Sequence, residues 1–192
     1  MRNRYNLSEF LSTSYAYIIT KIFYKEARLI RRPFYLRGKK SLTYQSGLTL
    51  GHGCRFDLSG NKTTLCIGNN CEMGDYAHIV AHKSVILGND VLIASKVFIS
   101  DTNHGCYKGN YQDSPASIPN ERDLACETVK IGNRVWIGEN AVILAGSRIA
   151  DGSIVGANTV VSGKFERPVI IAGIPGRIIK EWNDYKKEWE TV

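Results

Sequence analysis

Aliphatic residues recur at every sixth position in the C-terminal half of the chain, and the residue that follows is usually Gly, Ala or Ser. Six of them keep this spacing without a break: Ile131, Ile137, Ile143, Ile149, Val155 and Val161. An amphipathic helix has a period of 3.6 and a half-buried strand a period of 2, so neither explains the pattern. A period of six fits short strands joined by tight corners, three to a coil, as in a parallel β-helix.

The same spacing appears earlier in the chain, in two phases that differ by two positions. The first phase contains Ile67, Met73, Ile79 and Val85, and the second contains Leu87, Ile93 and Ile99. Leu50 and Phe56 form a weaker first pair. We predict that these side chains point inward and stack coil upon coil, whereas Asn, Asp and Gly occupy corners that tolerate positive φ. The predicted fold is therefore mainly β.

Both ends of the chain are predicted to be helical. Residues 7–32 combine an apolar stripe with basic residues, Ser8 is a suitable cap and Pro33 ends the segment. Residues 178–190 are predicted to form a short C-terminal helix. The expected domains are an N-terminal basic helical arm over 1–46, a β-helix over 47–176 and a C-terminal helix over 177–192.

The hexads stop after Ile99 and resume at Ile131. The intervening residues 101–128 are polar and contain two prolines, which predicts a long protruding loop; such loops in compact domains are usually functional. His104 lies at the base of this loop. An imidazole can accept a proton from a hydroxyl and return it to a leaving thiolate, so His104 is a candidate catalytic residue. Taken alone, it is equally explained as a surface or packed histidine, and this alternative stays open at this point.

Positive charge is concentrated at the N-terminal end. Residues 1–40 contain ten of the 25 Lys and Arg and two of the 18 Asp and Glu, so their net charge is +8 and that of the remaining chain is −1. Such an arm suits an anionic partner, such as membrane headgroups, nucleic acid or a phosphorylated carrier. A solvated helix face, or a helix that covers the open end of the β-helix, explains the same charges. Membrane contact and end-capping both remain open, and we expect no nucleic-acid partner.

Targeting signals and cysteine pairs are not recognisable in the sequence. No apolar run is long enough for a signal peptide or a transmembrane helix, and the five cysteines form no C-x-x-C pair. We therefore expect free thiols in a cytoplasmic protein. The hypothesis of membrane contact would place it at the inner face of a membrane.

The repeat resembles the hexapeptide-repeat acyltransferases, whose fold is a left-handed parallel β-helix. The segment TNHG, residues 102–105, is similar to the N-H-G/P segment of the sugar O-acetyltransferases in that family, in which the histidine is the general base. The resemblance thus implies direct acetyl transfer with His104 as the base. It also implies acetyl-CoA as co-substrate, no metal, and a homotrimer with active sites between subunits.

The segment IIAGIPGRIIKEW, residues 170–182, resembles the family's A-G-x-P-x-[KR]-x-x-[KR] ending, in which basic side chains reach the phosphates of coenzyme A. Arg177 and Lys180 fall on those basic positions. The resemblance extends the expected cofactor groove to Trp136, Gly138, Glu139, Ala157, Ser162 and Lys164. The candidate residues for binding the acceptor, near His104 or in preceding coils, are Asp75, His78 and Asn103.

The segments SDTNHG, SPASIPNERDL and VKIGNRVWIGENAVI make the resemblance closest to bacterial polysaccharide and O-antigen O-acetyltransferases. The predicted acceptor is a sugar hydroxyl of a surface polysaccharide or of its lipid- or nucleotide-linked precursor. N-acetylation of a nucleotide-linked amino sugar and serine O-acetylation remain open. Two other classes also remain: a zinc-dependent γ-carbonic anhydrase with His78, His82 and His104 as ligands, and a non-catalytic β-helix scaffold.

Overall fold

The hexads form short strands that wind into a parallel β-helix in the computed structural model, which describes residues 5–192. The chain visits three sheets in turn, here called A, B and C, so each strand pairs with a strand of the next coil. A parallel β-helix buries one aliphatic side chain per strand, and this requirement accounts for the period of six. The predicted mainly β architecture is confirmed.

The strands fall into three long sheets and one short ribbon. Sheet A contains β1 (Leu29–Ile30), β4 (Thr49–Leu50), β7 (Glu72–Met73), β10 (Leu92–Ile93), β15 (Trp136–Ile137), β18 (Ile154–Val155), β21 (Val169–Ala172), β22 (Arg177–Asn183) and β23 (Glu188–Thr191). Sheet B contains β2 (Tyr35–Arg37), β5 (Arg55–Leu58), β8 (His78–Ala81), β11 (Phe98–Ser100), β16 (Val142–Ile143) and β19 (Val160–Val161). Sheet C contains β3 (Leu42–Tyr44), β6 (Leu65–Ile67), β9 (Val85–Leu87), β14 (Val129–Ile131), β17 (Arg148–Ile149) and β20 (Lys164–Phe165). The ribbon consists of β12 (Thr102–His104) and β13 (Leu124–Cys126).

The aliphatic hexad residues form the core, as predicted. All six residues of the C-terminal run are at most 3% exposed. Along sheet A, Met73 lies beside Ile93, which lies beside Ile137. The phase slip falls inside β9, where Val85 and Leu87 are both buried because alternate residues of a strand share a face.

The predicted start of the β-helix at residue 47 is wrong. Helix α1 spans Leu7–Phe23 rather than 7–32, and it is capped by Asn6, which forms a capping box with Glu9, rather than by Ser8. Strands β1, β2 and β3 pair with β4, β5 and β6, so they form the first coil of the β-helix. Residues 1–4 of the predicted arm lie outside the described residues.

A sequence signal for this first coil exists, although Pro33 and the dense basic residues obscure it. A spacing of six also runs through Ile30, Leu36, Leu42 and Leu48, in a phase two positions away from that of Leu50 and Phe56. Ile30 and Leu48 are fully buried, and Leu36 and Leu42 pack against the core. The first coil therefore obeys the same rule as the others.

The predicted C-terminal helix over 177–192 is also wrong. Strands β22 and β23 form an antiparallel hairpin in which the rings of Trp182 and Trp189 pack 5.3 Å apart. Strand β22 pairs with β21, the last parallel strand of sheet A. An open edge leaves backbone N–H and C=O groups unpaired, and the hairpin satisfies them, whereas a helix in this place would not.

Close coil-to-coil packing at Gly138 leads to a stability prediction. A Cβ on Gly138 would lie 2.5 Å from the backbone nitrogen of Ala157, so Gly138→Ala is expected to lower the unfolding free energy by about 1–3 kcal/mol. Gly156 occupies the equivalent position one coil later, where the nearest atom would be 3.4 Å away. Gly156→Ala is the matched control and should change stability by less than about 1 kcal/mol. Urea denaturation measures both, and equal losses would contradict this explanation.

Candidate active site

The loop of residues 101–128 leaves the β-helix after β11, at the corner between sheets B and C. Its first residue, Asp101, is fully buried. The Asp101 carboxylate accepts hydrogen bonds from the backbone N–H groups of residues 82–84 at 2.7–3.0 Å and from the Thr102 hydroxyl at 2.6 Å. A buried carboxylate is stable only when such donors surround it. Asp101 therefore fixes the loop to the corner of the preceding coil.

The loop begins and ends as an antiparallel ribbon, in which His104 of β12 lies opposite Leu124 of β13. Gly105 follows with φ +103°, and a Cβ there would lie 2.9 Å from atoms of Arg122 and Tyr107. Only glycine fits this crowded position with positive φ. The chain therefore turns sharply after His104, and the loop is more regular than the sequence predicted.

Arg122 is the centre of the loop's hydrogen bonds. Its guanidinium donates to the hydroxyl and carbonyl of Ser117, both at 2.8 Å, and to the carbonyl of Ser114 at 3.2 Å. It also donates to the Tyr107 hydroxyl at 2.6 Å, and Tyr107 in turn donates to the carbonyl oxygen of His104. These bonds fix the loop and the backbone of His104 together.

The His104 side chain is exposed, and neither ring nitrogen has a hydrogen-bond partner within residues 5–192. The adjacent Asn103 is also exposed. The fixed backbone and free imidazole together leave the ring able to exchange a proton with a molecule outside the chain. The structure thus places the predicted base on a rigid support with an open face.

His78 lies on the outer face of sheet B, in register with Phe98 of β11, the strand that leads into the loop. Its Nε2 is 2.9 Å from Asp57 Oδ2, and its ring lies 5.2 Å from the ring of Phe98. Asp57 also accepts a hydrogen bond of 2.6 Å from Arg55 Nε. Asp57 and Arg55 are absent from the sequence-based site, although the register of β5 on β8 is the feature that brings them to His78.

The protonation of Asp57 is set by competing effects. Burial raises the pKa of its carboxyl, but hydrogen bonds from Arg55 and His78, with the charges of Arg55 and Arg37, outweigh burial and lower that pKa below its ordinary value. Asp57 is therefore a carboxylate at neutral pH. An ionised carboxylate here orients the His78 ring, leaving the other ring nitrogen for a ligand.

The Asp75 carboxylate stabilises a corner of the β-helix. It accepts a hydrogen bond of 2.7 Å from the backbone N–H of His52, at the corner between sheets A and B. His104, in contrast, lies on the loop at the corner between sheets B and C. The structure thus does not bring Asp75 together with His104, and its role in acceptor binding stays a prediction.

Two of the three histidine rings of the zinc alternative have other partners in different places, and only the His104 ring has none within residues 5–192. His78 contacts Asp57, and His82 Nδ1 lies 3.2 Å from the Thr102 hydroxyl. Across residues 5–192, no three His, Cys, Asp or Glu side chains are grouped as they would be to hold a metal ion. The ligand set proposed for a γ-carbonic anhydrase is therefore not assembled.

The expected cofactor residues lie in two groups. Trp136 lies at the start of β15 in sheet A with an exposed side chain, and Gly138, Glu139 and Ala157 lie at the corner between sheets A and B. Arg177 pairs with Ala172 at the end of the same sheet, and Lys180 lies further along β22. These residues border one edge of sheet B.

Ser162 and Lys164 lie across sheet B from the first group. They follow β19 at the corner between sheets B and C, above the base of the loop. Lys164 is in register with Arg148, which is in register with Lys130, so three cations form one column on sheet C. The sequence analysis missed Arg148 and Lys130, although they occupy equivalent positions of successive coils.

The cysteines offer no activated nucleophile in the core. All five are free thiols. Burial raises the pKa of Cys54 to about 11 and also raises that of Cys71. A thiol with a raised pKa is a poor nucleophile. These two residues pack in the core instead.

A β-helix with a histidine on a loop at one corner and small and basic residues along another has the architecture of a hexapeptide-repeat transferase. The family model "Bacterial transferase hexapeptide (six repeats)" matches residues 128–163. The whole chain is 41% identical to 98% of a protein of Escherichia coli K12 named "Putative lipopolysaccharide biosynthesis O-acetyl transferase WbbJ". The chain belongs to the hexapeptide-repeat acyltransferase family.

Solved structures of other transferases share the fold. A galactoside acetyltransferase in complex with coenzyme A superposes with a TM-score of 0.58 and 30% identity, over 75% of this chain and 70% of that one. A mutant of AntD, an N-acyltransferase from Bacillus cereus in complex with dTDP-4-amino-4,6-dideoxyglucose and coenzyme A, gives a TM-score of 0.71 at 18% identity. That match covers 97% of this chain and 94% of AntD, and it shows the fold alone.

The lowered pKa of Asp57 leads to a prediction about acid stability. A carboxyl whose pKa is lower in the folded state stabilises the protein above its unfolded pKa, and this contribution disappears as the pH falls through the folded pKa. Asp57→Asn should therefore lower the unfolding free energy by about 1–2 kcal/mol at pH 7, with a difference that shrinks as the pH falls below the ordinary pKa of an aspartic acid. Urea denaturation over a pH series measures it.

The control for this experiment is Asp184→Asn, because Asp184 is highly exposed and its carboxylate makes only surface contacts, 3.2 Å from Trp182 Nε1 and 3.8 Å from Lys187 Nζ. This variant should follow the wild-type stability at every pH. A gap between wild type and Asp57→Asn that stays constant at the lowest pH at which both proteins fold would show that Asp57 does not act through its ionisation.

Proposed function

We propose that this protein transfers an acetyl group from acetyl-CoA to a sugar hydroxyl of a surface polysaccharide or of its lipid- or nucleotide-linked precursor. The observation that carries the proposal is the exposed, unengaged imidazole of His104 on a loop fixed by Asp101 and Arg122. Identity of 41% with WbbJ along the whole chain supports a hydroxyl acceptor in lipopolysaccharide biosynthesis.

The proposed mechanism needs one proton carrier. His104 accepts the proton of the acceptor hydroxyl as that oxygen attacks the carbonyl carbon of the thioester and forms the new C–O bond. The C–S bond then breaks, and His104 returns the proton to the leaving sulfur. Acetyl-CoA, when bound, supplies an acetyl group activated as a thioester. The turn at Gly105 and the hydrogen bond from Tyr107 hold the backbone of His104, so only its side chain must be oriented for the transfer.

The outer face of sheet B is the proposed acceptor surface. It carries His78, whose ring is oriented by Asp57, beside the ring of Phe98. An oriented imidazole can hydrogen-bond to a hydroxyl, and a neighbouring aromatic ring can pack on an apolar sugar face. Asn103 adds an amide next to the base, and its role stays a proposal.

The co-substrate is proposed to lie along the corner between sheets A and B. Ala157 and Gly138 leave little side chain there, which lets an extended arm approach the backbone, and Trp136 is exposed beside them. Arg177 and Lys180 at the end of sheet A are suited to phosphate groups, because a guanidinium and an ammonium carry fixed positive charge. Ser162 and Lys164 are proposed to contact the co-substrate at the other edge of sheet B, the corner between sheets B and C.

One chain does not place these two sets of residues at the same edge. The loop with His104 starts at the corner between sheets B and C, whereas Gly138 and Ala157 lie at the corner between sheets A and B. We therefore infer a homotrimer in which His104 of one copy faces the co-substrate edge of the next. Cyclic association repeats such an interface around the ring.

Replacement of His104 tests the proposed chemistry. His104→Ala is expected to reduce acetyl transfer by about 10²–10⁴-fold, because the general base is lost. Release of free thiol from acetyl-CoA is measured against a panel of glycans, amino sugars and serine. His52→Ala is the control, since His52 contacts the carbonyl of Arg32 in the first coils and should leave the rate unchanged.

The acceptor panel also separates the alternatives. Turnover with sugars that carry no amino group supports O-acetylation. Turnover only with amino sugars would instead support N-acetylation as the reaction. Activity that survives His104→Ala would remove His104 as the base.

Mixed oligomers test the shared site. His104→Ala and the double variant Arg177→Glu/Lys180→Glu should each be poorly active alone with limiting acetyl-CoA. When they are unfolded and refolded together, about one quarter of the sites should combine an intact His104 with an intact co-substrate edge if neighbouring copies share each site. No recovery in the mixture, with wild-type refolding as the positive control, would place the whole site in one chain.

A further inference from the structure

Helix α1 presents an apolar stripe to the outside of the molecule. Only Ala16 and Thr20 of the helix are buried, and the Thr20 hydroxyl accepts a hydrogen bond of 2.9 Å from Ile30 N–H of the first coil. On the opposite face lie four aliphatic residues that are 75%, 59%, 57% and 56% exposed: Leu7, Leu11, Ile18 and Ile22. Their spacing of 4, 7 and 4 residues puts them on one line along the helix. We call these four residues the outer stripe.

Aromatic residues border the outer stripe. Phe10 and Tyr17 lie on one side and Tyr15 on the other, and each is more than half exposed. Soluble domains seldom expose a continuous apolar surface of this kind without a partner. Tyrosine rings with an apolar body and a polar tip are typical of the boundary between water and lipid. The stripe and its borders therefore have the chemistry of an interfacial helix.

The protein's excess of positive charge is located at the same end. Residues 21–40 contain eight Lys and Arg and one Glu, whereas the chain after residue 40 is almost neutral. Within the described residues, only Arg28 and Arg37 of these eight form ion pairs with carboxylates. Most of this charge is thus free to act on an external anion.

Apolar and basic groups also share one groove beside α1. It is lined by Tyr15, Ile19, Phe23, Tyr24, Arg32 and Lys39. Both cations lie 5.6 Å from the ring of Tyr24. Apolar side chains and cations side by side match the acyl boundary and the phosphates of a lipid leaflet.

We propose that α1 and the first coil form a binding surface for an anionic membrane. The outer stripe enters the boundary between headgroups and acyl chains, and the cations of residues 21–40 contact the phosphates. No helix within residues 5–192 is long and apolar enough to cross a bilayer, and α1 lies along the surface. This inference does not depend on which acceptor the enzyme uses.

Charge favours a lipid surface over a second copy of the chain. Two copies that joined through their outer stripes would bring their two sets of cations together, and like charges at an interface oppose association. An anionic leaflet instead neutralises these cations. The distribution of charge thus selects the membrane as the partner.

Co-sedimentation of the full chain with vesicles tests the proposal. Wild type should bind phosphatidylcholine vesicles that contain about 30% phosphatidylglycerol, should bind pure phosphatidylcholine about tenfold less, and should be released by high salt. Leu11→Gln/Ile18→Gln should lower binding to the anionic vesicles by about tenfold, because apolar area is lost at unchanged charge. Ser8→Gln/Ser12→Gln is the matched control, since both serines are exposed and lie outside the stripe.

A charge variant tests the second half of the proposal. Lys25→Gln/Lys40→Gln removes two cations that form no ion pair within residues 5–192, and it should weaken binding and its salt dependence together. Circular dichroism and thermal unfolding check that each variant folds. Wild type that stays in the supernatant, or equal binding by the stripe variant and the serine control, would overturn the proposal. The proposal would also be overturned if wild type did not bind vesicles and the stripe variant lost an oligomer that wild type forms. In that case a second copy of the chain would cover the outer stripe.

Discussion

The structure depends on one constraint: the inward aliphatic residue of each strand must lie on its counterpart in the next coil. Along sheet A this column runs through Leu50, Met73, Ile93, Ile137 and Val155. A slip of one residue would turn each side chain to the outer face, so the register is strongly fixed. The long loop does not disturb the register, because β14 after the loop pairs in register with β9 before it. Functional segments can therefore be added only at corners and ends.

The repetitive part of the fold could be predicted from sequence because the aliphatic residue of each hexad identifies the inward position of one strand. The ends could not, because their side chains fit two structures. The apolar residues around Trp182 and Trp189 suit a helix as well as a hairpin, and the unpaired edge of β21 decides in favour of strands. At the other end, Ile30 and Leu36 keep the period of six, but the helix-like segment before them and Pro33 obscured it.

The site divides in the same way. His104 could be singled out because it stands where the pattern stops and because TNHG resembles a family segment, and it lies on a ribbon with its side chain exposed. Its supports could not be predicted, since Asp101 and Arg122 act through backbone groups whose positions depend on the folded loop. The pairing of Asp57 with His78 depends on the register of neighbouring coils, which short motifs do not contain.

The buried carboxylate of Asp101 lies at the boundary between the stacked coils of the β-helix and the loop of residues 101–128. Its hydrogen bonds close the loop at its base, so the length and content of residues 105–123 place no demand on the stacking below. The entropy of closing a loop grows only slowly with its length. The loop can therefore change in number of residues and in sequence without disturbing the stacked coils, provided that Tyr107 and Arg122, which hold the backbone of His104, are kept.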